Sequence, residues 1–265
     1  MARQTVCSLQ EKKDKKQKIT MITAYDFPSA RLVEESGIDM ILVGDSLGMA
    51  VLGYDTTLPV TMTEMLYHTK MVARGASKTF VVADMPFLSY HRSIEDTITN
   101  AGRFLQEGGA QAVKLEGGRE RCQAVRTLTD AGIPVLGHLG LTPQSVHRLG
   151  GFRVQGRDEK QAERIAGDAQ FLEEAGVFAL VLECVPASLA ARISCQIRVP
   201  TIGIGAGSGC DGQVLVWHDL LGLTTGNMPR FVKKYADLNK PILEALKTYK
   251  SEVENGQFPD KEHSF

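Results

Sequence analysis

Short apolar segments alternate along the chain with longer segments in which apolar residues recur every three or four positions. The short segments, among them MILVG, FVVAD, AVKLE and LVLE, are apolar on both faces. Such runs are typical of parallel strands that helices cover on both sides. The predicted strands are Ile19–Ala24, Met40–Gly44, Thr79–Asp84, Ala112–Glu116, Pro134–His138, Ala179–Glu183, Thr201–Gly205 and Val214–Trp217.

The segments between these strands have the period of amphipathic helices. In one of them Ile94, Ile98, Ala101 and Phe104 fall on one helical face. Glycines follow several of the segments, at places where helices commonly end. The predicted helices are Phe27–Glu35, Thr63–Arg74, Ser93–Gln106, Arg119–Thr129, Glu159–Ala175 and Pro186–Ile193.

The repeated strand–helix order predicts an α/β fold, a (β/α)₈ TIM barrel. Eight such units in 265 residues suit one barrel domain, which typically takes about 250 residues. A doubly wound open sheet is the alternative. We find no linker and no low-complexity stretch, so residues 1–265 are expected to form a single catalytic domain with extra N-terminal and C-terminal helices.

The two ends of the chain differ in character. The amphipathic segment from Arg230 to Glu254 predicts terminal helices that pack on the barrel or on a neighbouring subunit. The lysine run at positions 12–18 is interpreted as a solvated face, and a site for a polyanion is the alternative.

Composition argues against nucleic-acid-binding, secreted and membrane-spanning classes of protein. A net charge of −1 argues against nucleic acid as the main partner, because duplex binding needs a basic face. The five cysteines are odd in number and show no C-x-x-C spacing, which indicates free thiols in a reducing compartment. The first residues lack the apolar core of a signal peptide, and no apolar run reaches the ~18 residues of a membrane span. We therefore expect a cytoplasmic protein without a membrane partner.

Polar residues interrupt the apolar strands at their carboxyl ends. Each could be a loop-edge group satisfied by backbone, but five strand ends with the same placement favour an active site, because those ends converge on one face of a barrel. These residues are Asp45, Asp84, Lys114 with Glu116, His138 and Glu183.

Three of these residues are carboxylates that come without a histidine cluster or thiolates: Asp45, Asp84 and Glu116. Hard oxygen ligands select Mg²⁺ over zinc, and Mg²⁺ leaves coordination positions for substrate. Without a cation the three acids would repel one another and their pKa values would rise. The sequence therefore predicts a magnesium site.

The remaining polar residues have two interpretations each. Lys114 lies on the same strand face as Glu116, and we favour recognition of a substrate carboxylate over a Schiff base. Glu183, in the apolar stretch ALVLECV, is expected to have a raised pKa that suits a general base, unless it forms a salt bridge at the rim. His138 is either an assisting hydrogen-bond donor or a satisfied rim histidine.

A glycine motif and a cysteine beside Glu183 lie near the C-terminal strands. Gly207-x-Gly209-x-x-Gly212 matches a dinucleotide fingerprint, but it follows the seventh predicted strand and a strand-like run resumes after it. The loop Gly203–Gly212 either places backbone N–H groups near an anion or is a plain tight loop. Cys184 is expected to pack in the core, facing away from Glu183.

At these residues the sequence resembles the ketopantoate hydroxymethyltransferase family. The matching stretches run along nearly the whole chain and are long and specific. They are TAYD (23–26), VGDSLGM (43–49), LPVT (58–61), ADMPF (83–87), VKLEGG (113–118), GHLGLTPQS (137–145), VQGR (154–157), LVLECVP (180–186), IGIGAG (202–207), DGQVLV (211–216) and KEHSF (261–265).

The resemblance implies an activity and a set of site residues. The family transfers a hydroxymethyl group from methylene-tetrahydrofolate to α-ketoisovalerate, giving ketopantoate for pantothenate and coenzyme A synthesis, through an enolate stabilised by Mg²⁺. Position by position, the resemblance implies Asp45, Asp84 and Glu116 at the metal, Asp45, Ser46, Asp84 and Lys114 at the keto acid, and Glu183 as proton acceptor. It also implies a homo-oligomer, commonly a decamer.

Two other functions stay open on the residues alone. One is a carbon–carbon lyase of the isocitrate lyase type, which would share the acids and the enolate but usually has a catalytic cysteine that we cannot place here. The other is a barrel that only binds a metal-chelated metabolite, for which Glu183 would serve no purpose.

Overall fold

The computed structural model describes residues 3–224, 226 and 228–265. Within them, eight parallel strands pair in chain order, and the last pairs with the first to close a barrel. This confirms the predicted (β/α)₈ barrel and excludes a doubly wound sheet, which would have two edges. The strands are β1 Ile19–Thr23, β2 Met40–Val43, β3 Phe80–Asp84, β4 Ala112–Glu116, β5 Val135–Gly140, β6 Ala179–Glu183, β7 Thr201–Ile204 and β8 Gly212–Leu215.

Helices follow the strands as the periodicity predicts. Several begin where a side chain accepts a hydrogen bond from the backbone N–H three residues on, as Thr61 and Ser93 do. The predicted helix Arg119–Thr129 is instead a 3₁₀ turn, Arg119–Arg121, followed by an α-helix. The helices are α1 Val6–Asp14, α2 Phe27–Ser36, α3 Leu47–Ala50, α4 Met62–Gly75, α5 Ile94–Gln106, α6 Cys122–Asp130, α7 Val146–Leu149, α8 Glu159–Ala175, α9 Ala187–Gln196, α10 Trp217–Leu220 and α11 Asn239–Glu254.

Helix α1 closes the amino-terminal end of the barrel. Its Leu9 is 1% exposed and belongs to the apolar cluster that fills the barrel interior. Lys12 pairs with Asp39 at the start of β2, and Lys13 pairs with Asp211 before β8 at 2.8 Å. The expectation of a solvated lysine face is therefore wrong for these two lysines, which tie α1 to strand starts on both sides of β1.

The eighth strand begins earlier than predicted. It spans Gly212–Leu215 instead of Val214–Trp217, and Trp217 begins α10. A Cβ at residue 212 would lie 2.5 Å from the carbonyl oxygen of Ile19, so only glycine allows β8 to approach β1 this closely. Because Gly212 opens a strand and not a helix, the dinucleotide interpretation of the glycine motif is excluded.

The C-terminal helix is shorter than the amphipathic pattern suggests, since α11 starts at Asn239 and not near Arg230. Pro241 lies in its first turn, and a longer helix would bring the proline ring against the carbonyl of Asp237.

Contacts divide the chain into two compact units, Met1–Val216 and Trp217–Phe265. The first contains all eight strands of the barrel, and the second contains α10 and α11. The prediction of one domain over the full chain, and that of the surface against which the C-terminal helices pack, stay predictions. In the part of the chain that the structure describes, no helix combines the length and apolar character needed to cross a membrane.

Candidate active site

The structure brings the strand-end residues together at one rim of the barrel. Asp84, Glu116 and Glu183 are the last residues of β3, β4 and β6, and Asp45 follows β2 by two positions. The strand register places Asp84 beside Lys114, and Glu116 beside His138. Strand β5 continues to Gly140, so the predicted strand end at His138 is two residues too early.

Lys114 lies between two acids in the barrel interior. Its Nζ donates hydrogen bonds of 2.7 Å to both Asp84 oxygens and lies 3.6 Å from Glu116 Oε1. The three residues are 1–4% exposed. Burial acts to lower the pKa of Lys114, but the surrounding carboxylates raise it well above its usual value, so the ammonium stays charged. A charged Lys114 argues against a Schiff-base role.

Gln144, in the 3₁₀ turn Pro143–Ser145 after β5, connects further members of the site. Its Nε2 donates to Asp45 Oδ2 at 2.9 Å, and its backbone N–H donates to Glu116 Oε2 at 3.0 Å. The Tyr90 hydroxyl donates to Gln144 Oε1 at 2.6 Å. Sequence reasoning missed both residues, because a neutral amide or phenol in a loop carries no charge signal.

His138 bridges two carboxylates. Nδ1 lies 3.4 Å from Glu116 Oε1, and Nε2 lies 3.2 Å from Glu183 Oε2. Neither nitrogen has a hydrogen bond of good geometry within the described residues, so these contacts are electrostatic. Burial and Lys114 act to lower the pKa of His138, but the two carboxylates outweigh them and raise it to about 9. With this pKa, His138 is protonated at neutral pH. Glu183 therefore lies beside a cationic imidazolium, and the prediction that it is a lone acid in apolar surroundings is wrong.

The acids differ in their protonation equilibria. Burial, and then the neighbouring Asp84, raise the pKa of Asp45 well above its usual value. Burial also raises the pKa of Asp84, although Lys114 opposes this. For Glu116, burial acts to raise the pKa, but Lys114 and His138 outweigh it and lower the value. Asp45 is thus the acid with the least compensation from cationic neighbours.

The donor set fits a hard cation. Against two cationic side chains the site holds the carboxyl groups of Asp45, Asp84, Glu116 and Glu183. Glu116 Oε1 is buried without a hydrogen bond among the residues described. Carboxylate oxygens with no thiolate are what Mg²⁺ prefers.

The acids are not arranged as a finished metal site. Residues 3–224, 226 and 228–265 contain no group of three or more His, Cys, Asp or Glu side chains placed to hold a metal ion. At Asp84, Lys114 donates to both carboxylate oxygens. A metal ion at Asp84 would have to share this carboxylate with Lys114.

Ser46 and Cys184 flank two of the acids. Ser46 follows Asp45, and its hydroxyl lies 2.9 Å from that of Tyr25, a buried residue after β1. Cys184 is buried as predicted, and burial followed by the charge of Glu183 raises the pKa of its thiol to about 12. Its φ of 47° is in the left-handed region, so the chain turns sharply directly after Glu183.

The glycine loop after β7 packs against α9. A Cβ at residue 207 would lie 2.5 Å from the Cβ of Ala187, and one at residue 209 would lie 2.7 Å from the Cβ of Ala191. These close approaches favour the plain tight loop over an anion site, since they explain both glycines by packing.

Comparison with known proteins decides the family. A family model described as ketopantoate hydroxymethyltransferase matches residues 3–261. The 3-methyl-2-oxobutanoate hydroxymethyltransferase of Carboxydothermus hydrogenoformans is 61% identical over 265 residues, which cover 100% of this chain and 96% of that protein. The chain belongs to the ketopantoate hydroxymethyltransferase family. The enzyme of the same name from Moorella thermoacetica is 61% identical over 264 residues, with coverages of 100% and 98%.

Family membership makes the chain an enzyme, a hydroxymethyltransferase. It decides against both alternatives from the residues alone, a lyase of the isocitrate lyase type and a barrel that only binds a metabolite.

Two solved structures illustrate the same fold at low sequence identity. The phosphoenolpyruvate phosphomutase of Streptomyces platensis subsp. rosaceus has a TM-score of 0.62 at 16% identity, covering 95% of this chain and 88% of that one. A phosphonopyruvate hydrolase in complex with oxalate and Mg²⁺ has a TM-score of 0.62 at 13% identity, with coverages of 98% and 93%. At these identities the likeness shows the barrel fold alone.

Proposed function

We propose that the enzyme transfers a hydroxymethyl group from methylene-tetrahydrofolate to α-ketoisovalerate (3-methyl-2-oxobutanoate), forming ketopantoate in pantothenate biosynthesis. Family membership supports the reaction class. The observation that carries the proposal is Glu183, whose side chain is 16% exposed, whereas the side chains of Asp84 and Glu116 at the same rim are only 2–3% exposed. A carboxylate reachable by substrate next to a buried charged cluster suits proton removal.

Mg²⁺ is the proposed metal, held by Asp45, Asp84 and Glu116. When bound, it would supply a Lewis acid to the keto and carboxylate oxygens of the substrate. Asp45, Ser46, Asp84 and Lys114 are the proposed contacts of the keto acid. Lys114 stays charged and can attract the substrate carboxylate, while Ser46 offers a hydroxyl already oriented by Tyr25.

Glu183 is the proposed general base. It removes the proton from the carbon next to the keto group, and the resulting enolate attacks the one-carbon unit carried by the folate. Water then releases the hydroxymethyl product and tetrahydrofolate. His138 lies 3.2 Å from Glu183 and can hold this carboxylate in place through its positive charge. Holding both reactants in the right orientation can lower the activation barrier of carbon–carbon bond formation by about 7–11 kcal/mol.

Deuterium exchange tests the proton-removal step without the folate. The protein is incubated with Mg²⁺ and α-ketoisovalerate in heavy water, and the C–H signal next to the keto group is followed by NMR. We expect exchange that a chelator abolishes and that Glu183→Gln slows by about 10²–10⁴-fold, the usual contribution of a general base.

Glu174→Gln is the matched control, because Glu174 is an exposed glutamate of α8. This variant should exchange at the rate of the unmodified protein. Absence of exchange with the unmodified protein would remove the enolisation mechanism.

Assembly and location stay predictions. We expect a cytoplasmic homo-oligomer, a decamer by resemblance, whose partners are the two small-molecule substrates and neither nucleic acid nor membrane. Sedimentation analysis of the purified protein would give the number of subunits.

A further inference from the structure

Gln144 is a buried amide with every side-chain hydrogen-bonding group in use at the site. The residue is 6% exposed. Nε2 donates to Asp45 Oδ2 and to the carbonyl oxygen of Met85, both at 2.9 Å. Oε1 accepts from the Tyr90 hydroxyl at 2.6 Å. A flipped amide would turn Oε1 toward a carbonyl and a carboxylate, so this orientation is the stable one.

The backbone of the same residue holds a second acid. The N–H of Gln144 donates to Glu116 Oε2 at 3.0 Å. One residue from the loop after β5 therefore binds one oxygen each of Asp45 and Glu116, which come from β2 and β4 with β3 between them. It leaves Asp45 Oδ1 and Glu116 Oε1 outside its hydrogen bonds, and among the described residues Glu116 Oε1 has only the longer ionic contacts with Lys114 and His138.

We propose that Gln144 is a positioning residue that orients the Asp45 and Glu116 carboxylates toward a divalent cation. The inference rests on the proposed function, because it takes these acids as ligands of the metal. Two carboxylates close together destabilise each other's charged forms, and hydrogen-bond donors that favour the charged form oppose this. Groups that orient metal ligands commonly account for about 10–100-fold in metal affinity.

Tyr90 acts through Gln144. Its hydroxyl donates to Gln144 Oε1 and accepts from the backbone N–H of Glu116 at 3.1 Å. A phenol is protonated at neutral pH and can donate one hydrogen bond while it accepts another, which is the arrangement seen here. Tyr90 thereby fixes the amide orientation, and among the described residues its hydroxyl forms no hydrogen bond with a side-chain oxygen of Asp45 or Glu116.

Magnesium binding by the intact protein, measured by calorimetry, tests the proposal. Gln144→Met keeps the length of the side chain and removes its hydrogen bonds, and we expect it to weaken Mg²⁺ affinity by about 10–100-fold. Excess Mg²⁺ should then restore C–H exchange in this variant, since a positioning residue takes no part in the proton transfer.

Gln111→Met is the matched control. The Gln111 side chain accepts a hydrogen bond of 2.8 Å from the backbone N–H of Val81, at the opposite end of the barrel. This variant loses a comparable hydrogen bond and should keep its Mg²⁺ affinity. Loss of affinity in the control as well would show a general effect on folding and would overturn the proposal.

Tyr90→Phe gives a second test, since it leaves residue 144 unchanged and removes only the donor to its Oε1. It should weaken Mg²⁺ binding less than Gln144→Met does, and adding it to Gln144→Met should cause no further loss, because Tyr90 acts through the amide. Additive losses would overturn this arrangement.

The outcomes separate the two proposals. If the unmodified protein binds Mg²⁺ and Gln144→Met binds it equally well, the positioning role is overturned while the proposed function stands. If the unmodified protein binds no Mg²⁺, the metal of the proposed function falls, and the positioning role falls with it.

Discussion

Asp84 shows how strongly a buried charge at this site depends on its partner. Both of its oxygens accept hydrogen bonds from Lys114. Asp84→Ala would leave a buried ammonium without them, and we expect a loss of about 3–5 kcal/mol in the free energy of unfolding. Asp84→Asn keeps the shape and one acceptor, so it should fold with a smaller loss. Chemical denaturation measures the difference.

The same two variants report on the metal. Asp84→Asn removes a carboxylate that we propose to bind Mg²⁺, so calorimetry should show weaker binding in a folded protein. Unchanged affinity in Asp84→Asn would mean that Asp84 is not a ligand. Equal stability of the Ala and Asn variants would contradict the importance of the Lys114 contact.

Cys184 should be chemically inert although it follows Glu183. With a pKa of about 12, only about one thiol in 10⁴ is ionised at pH 8, and the thiolate is the reactive form. Cys195 is exposed at the end of α9 and serves as the comparison within the same chain.

Iodoacetamide labelling followed by peptide mass spectrometry should therefore modify Cys195 well before Cys184 in the native protein. In denaturant the two should react at similar rates, because the pKa of Cys184 is raised by burial in the fold. Equal labelling in the native state would refute the buried, high-pKa thiol.

At the scale of elements, helix α1 stabilises the amino-terminal end of the barrel. Leu9→Ala should lower the free energy of unfolding by about 2–5 kcal/mol, because a cavity opens under the strands. Lys12→Met and Lys13→Met should each cost about 1–3 kcal/mol, since each leaves a hydrogen-bonded aspartate without its cationic donor.

Lys15→Met is the matched control for the two lysine variants. Lys15 pairs with Glu11 on the exposed surface of α1, with side chains 62% and 63% exposed. Exposed pairs contribute little, so this change should be nearly neutral. If thermal unfolding showed that Lys15→Met destabilises the protein as much as Lys12→Met and Lys13→Met do, the stabilising role of α1 would be contradicted.

Two glycines in different elements should respond oppositely to alanine. Gly212→Ala places a Cβ 2.5 Å from the carbonyl oxygen of Ile19 and should destabilise the closure between β1 and β8. Gly102→Ala, inside α5, meets nothing within 4 Å and should stabilise the protein by about 0.5–1 kcal/mol through helix propensity. Denaturation midpoints of the same sign would show that the contact at Gly212 relaxes easily.

At the scale of the whole molecule, we expect the two proposed ligands, Mg²⁺ and α-ketoisovalerate, to raise the melting temperature of the protein. Anything that binds only the folded state stabilises it, by about 2.7 kcal/mol at a hundred times its dissociation constant. We expect Mg²⁺ with α-ketoisovalerate to raise the melting temperature more than either alone, because the proposed site lets both engage the same acids.

A chelator should reverse this stabilisation, and Asp84→Asn should lose most of it. Differential scanning calorimetry of the unmodified protein and this variant makes the comparison. A shift that survives chelator would indicate a keto acid site independent of the metal, contrary to the proposed function.

The order of strands and helices in the barrel could be predicted from the sequence, because each element has its own pattern of apolar residues within a short stretch of chain. Runs such as FVVAD and AVKLE show strands buried on both faces, and Asp84 and Glu116 end these strands within the same runs. Since all strands of a parallel barrel point the same way, residues at their carboxyl ends must share a rim. The chain alone therefore determined the fold and the set of charged residues at the site.

Tertiary structure alone decided how those residues are partnered. Gln144 and Tyr90 are neutral loop residues, and they become parts of the site only because the barrel brings loops after β5 and β3 over Asp45 and Glu116. The early start of β8 at Gly212 also depends on the approach of Ile19 from the other end of the chain. Hydrogen-bond geometry and close packing join residues distant in sequence, and periodicity along one chain does not encode those distances.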